Sequence, residues 1–179
     1  MRKNIEKKLD TLDQELKLLL RDLKQLSNKD LAWKPTQDKW SILEVMQHMI
    51  IAEELSLKYI QKKMSFQPKL KRAGVVTSGR KAMLWLYLNM PFKVKAPQLV
   101  AEDMFIEGVT FWDLVKRWNS LREKLREYLA SLPDDIFSKA LYKHPVTGRM
   151  SLDGMLTFFI QHFRRHRKQI QAILLNFKY

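Results

Sequence analysis

The chain has 179 residues, a length suited to one domain with a real core. Its composition is ordinary for a globular protein, with 46% hydrophobic residues and only eleven glycines and prolines together. It has no cysteine, which excludes disulfides, thiolate metal sites and cysteine nucleophiles and fits a reducing compartment. The net charge of +14 is concentrated: between Glu54 and Glu102 there are ten basic residues and no acidic one, leaving only +4 for the rest of the chain.

In chain order, residues 3 to 27 read as a first helix. Ile5, Leu9, Leu12, Leu16, Leu19, Leu20, Leu23 and Leu26 recur at three- and four-residue spacing with charges on the other side, and Ser27-Asn28-Lys29-Asp30 ends the pattern. A loop with Trp33 and Trp40 follows. Ser41 with Glu44 forms a capping box that opens a second helix running to about residue 64. From 65 to 109 the pattern is irregular, with Pro68, Gly74, Gly79, Pro91 and Pro97 and one short apolar helix expected around Arg80 to Asn89. A third long helix is predicted from Thr110 to Leu132, striped by Leu114, Val115, Trp118, Leu121, Leu125, Tyr128 and Leu129 and stopped by Pro133. The turn His144-Pro145-Val146-Thr147-Gly148 leads to Ser151, which caps a fourth helix reaching about Asn176. No repeat, low-complexity tract or convincing strand is evident. Four amphipathic helices in so small a chain bury their stripes most simply against each other, so the expected fold is an all-α four-helix bundle over residues 1–179 with a basic insertion between helices two and three.

The longest uncharged apolar run lies between Lys81 and Lys93, far short of the roughly 20 residues a membrane span needs. The N-terminal residues lack the apolar stretch of a signal peptide, so a cytoplasmic protein is expected.

Three of the four histidines fall on apolar helical faces. His162 and His166 lie one turn apart, in line with Met155, Phe159, Ile170 and Ile173, and His48 lies in the row Val45, His48, Ala52, Leu55. A buried neutral imidazole carries one donor and one acceptor, and leaving either unpaired costs about 1–3 kcal/mol. A shared divalent cation satisfies three such nitrogens at once and leaves further positions open, so His48, His162 and His166 are the candidate metal ligands. Such a site acts as a Lewis acid, lowering the pKa of a bound water or holding a thiol as thiolate. Imidazole suits zinc, nickel, copper and iron alike.

The run Trp33-Lys34-Pro35 with Trp40-Ser41-Ile42-Leu43-Glu44-Val45-Met46-Gln47-His48-Met49 resembles the first signature of the DinB/YfiT-like superfamily. The run His144 to Ser151, followed by His162-Phe163-Arg164-Arg165-His166-Arg167-Lys168-Gln169-Ile170, resembles the second. That resemblance implies an up-down-down-up four-helix bundle, often a homodimer, with a zinc, nickel or iron ion held at the positions of His48, His162 and His166. It also implies the reactions of known members, which include thiol S-transferases using a low-molecular-weight thiol, a maleylpyruvate isomerase and some hydrolases. A non-catalytic metal-binding bundle and a basic adaptor for an acidic partner are the rival readings.

The neighbours of the three histidines carry two readings each. Glu44 is either a cap or an acceptor orienting His48, and Gln169 either touches a ligand or flanks a core stripe. His144 is either a turn residue or an acid–base group at the site mouth, and lies outside the ligand set. Arg164, Arg165, Arg167 and Lys168 read as a solvated face, from which one at the rim can recognise the carboxylate of a small anionic substrate. The basic segment 55–101, with Tyr59, Phe66, Trp85, Tyr87 and Phe92, carries no motif for specific nucleic-acid binding, and a lid over the site mouth is one use for it.

Overall fold

A computed structural model describes residues 2–73, 104–144 and 148–177. The chain is mostly helical. Helix α1 spans Arg2–Leu23 and buries Ile5, Leu9, Leu12, Leu16, Leu19 and Leu23, the stripe expected from the spacing. It stops one turn short of the expected end, because Ser27 and Asp30 cap a separate short helix, α2 (Asn28–Ala32), instead of merely breaking the first.

Helix α3 (Ile42–Ser65) opens on the predicted capping box. Glu44 Oε2 accepts from the Ser41 N–H at 2.8 Å, and the Glu44 N–H donates to Ser41 Oγ at 3.2 Å. Helix α4 (Phe111–Ser131) opens on a box of the same kind between Thr110 and Asp113, and Pro133 follows its end. Helix α5 (Leu152–Phe177) starts where the Gly154 N–H donates to Ser151 Oγ at 3.1 Å. Between α4 and α5 come a 3-10 helix, Asp134–Ser138, and an antiparallel hairpin that the sequence patterning did not suggest. Its strands β1 (Tyr142–His144) and β2 (Gly148–Met150) are three residues each, too short to show a period of two. The apolar helix expected at Arg80 to Asn89, and most of the basic insertion, lie outside the described residues.

The four long helices contribute to one shared hydrophobic core: α1 packs on α5, while α3 packs on both α4 and α5. Polar contacts mark the two ends. Arg2 at the start of α1 donates to the carbonyls of Ala130 and Leu132 at the end of α4. At the other end the Phe111 N–H, opening α4, donates to Asn28 Oδ1 at 3.0 Å, and Trp33 meets Phe177 edge-on at the close of α5. Helix α3 buries thirteen residues, including the polar Gln47, His48, Glu53 and Ser56. No helix of the described residues is long and apolar enough to cross a membrane.

Candidate metal centre

His48 sits in the second turn of α3, and His162 and His166 occupy consecutive turns of α5. Because α3 and α5 pack directly, the rings meet in the space between them. His162 Nε2 lies 3.2 Å from His48 Nε2 and 3.0 Å from His166 Nε2, and all three nitrogens fall within 4.8 Å of one another. His48 and His166 are buried; His162 is partly so.

These spacings suit a shared cation. An ion about 2.0–2.1 Å from each nitrogen, with angles between octahedral and tetrahedral, separates its ligand atoms by about 2.9–3.3 Å. The donor chemistry argues the same way. His166 Nδ1–H donates to Gln169 Oε1 at 2.8 Å, which fixes the tautomer and turns an Nε2 lone pair inward. His162 Nε2 then faces two other ring nitrogens, and the one proton it can carry serves only one of them well. A cation accepts all three lone pairs. The residues present fit one.

The electrostatics keep His162 and His166 neutral, as ligands must be. Burial, then the field of His48, hold the His166 pKa at about 3 against the pull of the Gln169 hydrogen bond. Burial, followed by the neighbouring His166, His48 and His144, holds His162 well below the ordinary histidine range. The charge of Arg165 pushes both in the same direction, so this arginine's field reaches the cluster.

Aromatic rings wall the site. Trp40 stands 5.0 Å from the His48 ring and 5.4 Å from Phe105, while Phe158 lies 5.1 Å from His162 and 4.5 Å from His144. His144 is thus buried on β1, behind Phe158, and burial alone lowers its pKa to about 4. It stands beside the three-histidine group, outside the converging ligand atoms.

The open alternatives separate cleanly. Glu44 is a cap: one carboxylate oxygen holds the Ser41 N–H and the other pairs with Lys34 at 2.6 Å. Gln169 is engaged with His166. Arg164 pairs with Glu15 and Arg167 lies 3.7 Å from Asp22, which ties both to α1 as the solvated-face reading expects. Gln47 escaped notice in the sequence, although a lone amide inside the apolar turn from Val45 to Ile51 is a signal of a kind.

A mostly helical protein with three imidazoles gathered between two packed helices is the class that fold and site define. The chain matches the family model described as the DinB superfamily over residues 11–170, and it belongs to that superfamily. It is also similar to the uncharacterized protein YuaE of Bacillus subtilis (strain 168), with 27% identity over 153 residues covering 85% of this chain and 88% of that protein.

Proposed function

We propose that residues 1–179 form a single up-down-down-up four-helix bundle that binds one divalent metal ion through His48, His162 and His166, and that this centre is catalytic. The observation that carries the reading is the convergence of ring nitrogens from three histidines within 4.8 Å of one another between α3 and α5. The bundle topology is supported by the ends at which the helices meet: α1 and α5 finish where α3 and α4 begin. Bound there, a zinc, nickel or iron ion would supply Lewis-acid chemistry, bringing the pKa of a coordinated water toward neutrality or holding a coordinated thiol as thiolate.

The chain's own residues supply the surroundings. Gln169 orients His166, Trp40 and Phe158 exclude water from one flank each, and the charge of Arg165 favours an anionic group near the cluster. These features support a small anionic substrate and a reaction of the family's kind: transfer of a low-molecular-weight thiol to an electrophile, or hydrolysis.

Metal analysis of purified protein before and after His48→Ala, His162→Ala and His166→Ala tests the reading. One equivalent of ion in the wild type and at least a tenfold weaker retention in each variant are expected. Full retention in all three variants would sink the ligand assignment. Stoichiometric metal with no turnover of thiol-acceptor or ester substrates would instead point to a structural or sequestering centre.

A further inference from the structure

Gln47 is a polar side chain in an apolar place. It lies in the second turn of α3, next to His48, and is only 3% exposed. A primary amide buried there is costly unless both its ends are bonded. Both are, and to one residue: Oε1 accepts the Ile106 N–H at 2.7 Å, and Nε2 donates to the Ile106 carbonyl at 3.3 Å. The side chain thus pairs with a stretch of backbone as a neighbouring strand would.

That backbone belongs to a strap, Phe105 to Gly108, that is part of no helix or strand. Ile106 is 54% exposed, so its own side chain anchors the strap poorly. Gly108, at φ +69°, turns the chain toward the Thr110 cap of α4, a conformation that side-chain-bearing residues rarely adopt. What the strap places is Phe105, edge-on to Trp40 at 5.4 Å, and Trp40 in turn stands 5.0 Å from the His48 ring. A chain of contacts runs from one buried amide to the candidate metal ligand next to it in sequence.

We propose that Gln47 is a positioning residue that clamps the 105–108 strap, so that Phe105 and Trp40 form an aromatic wall on the His48 side of the centre and govern how fast ions and ligands reach it. This rests on the reading of His48 as a ligand. A glutamine serving only the fold would contribute stability and nothing to access.

The test uses the full-length chain loaded with cobalt or zinc, in wild type, Gln47→Ala, Gln47→Glu, Phe105→Ala and the Gln47→Ala/Phe105→Ala double variant, at a temperature where circular dichroism shows all to be folded. Two rates are read: amide hydrogen exchange across residues 104–110 in the metal-free protein, and extraction of the ion by excess chelator. Losing both bonds in Gln47→Ala should speed exchange at the strap and speed extraction about tenfold. Gln47→Glu keeps the acceptor for the Ile106 N–H and should fall between Gln47→Ala and the wild type. Phe105→Ala should match Gln47→Ala in extraction, and the double variant should be no faster than either, since both act through one wall. Unchanged exchange in Gln47→Ala overturns the clamp. Faster exchange or a lower melting temperature with unchanged extraction overturns the wall. A wild type that takes up no ion overturns the metal centre itself, which a loaded wild type with an unresponsive Gln47→Ala does not.

Discussion

A histidine held neutral by burial is a proton sink that opens only on unfolding. The imidazole of His144 has a pKa of about 4 in the folded chain and that of His166 about 3, against an ordinary value of about 6.5 once exposed. Between those values the unfolded state binds more protons than the folded one, so stability rises with pH there and falls as acid is added. The metal-free protein should therefore lose stability steadily from about pH 6.5 down to about pH 4, read as a falling urea midpoint. His144→Gln removes one of the titrating groups and should make the decline shallower without touching a candidate ligand. A midpoint flat across that window would show that the rings are already exposed or charged in the native state.

At the scale of elements, the contact between α3 and α4 contains a charged pair that no metal reading explains. Arg122 and Glu53 are both buried, with Arg122 Nη2 2.7 Å from Glu53 Oε1 and Nε 2.7 Å from Oε2. Burial pushes the Glu53 carboxyl above its usual range, while Arg122 pulls it back. Asp13 of α1 lies 3.8 Å from Arg122 and 2.7 Å from Arg126, so three helices share one charge network. A buried pair of this kind contributes little net stability, but removing one partner strands the other. Arg122→Met should cost about 3–5 kcal/mol in urea unfolding, and adding Glu53→Met should restore part of it. If the double variant is no more stable than the single, the carboxylate has found another partner. Neither residue stands out in the sequence; only the crossing of α3 and α4 encloses them.

What was legible along the chain follows from period and punctuation. The stripes of α1 and α4, the Ser41–Glu44 box and the Ser151 cap are local signals, set by neighbours three or four residues apart, and the structure bears them out. The hairpin at Tyr142–Met150 was hidden because three-residue strands leave no pattern, and α2 because a capping serine looks the same as a breaking one. The meeting of His48 with His162 was inferable from each lying on an inward face and from the family resemblance. Its geometry depends on how α3 and α5 pack, which no local spacing encodes. The partners of Gln47 and Glu53 were out of reach for the same reason.

For the whole molecule, the candidate ion would be a ligand of the folded state alone. At a free metal concentration about a hundred times Kd, that linkage contributes about 2.7 kcal/mol. For a chain of this size it corresponds to a melting temperature about 5–10 °C lower after chelation. Calorimetry with and without chelator measures it directly, and His162→Ala, lacking a ligand, should show no such difference. An equal shift in that variant would mean the chelator acts elsewhere.

The distance along the chain between His48 and His162, 114 residues, also bears on the order of events during synthesis. No ion can be captured by all three rings until the ribosome has passed His166, when α1, α3 and α4 have already been made. On the proposed ligand set, metal loading would therefore be a maturation step rather than a nucleus for folding. A nascent chain stalled between His162 and His166 would hold two imidazoles of the three, and would compete poorly with cellular metal buffers for the same ion.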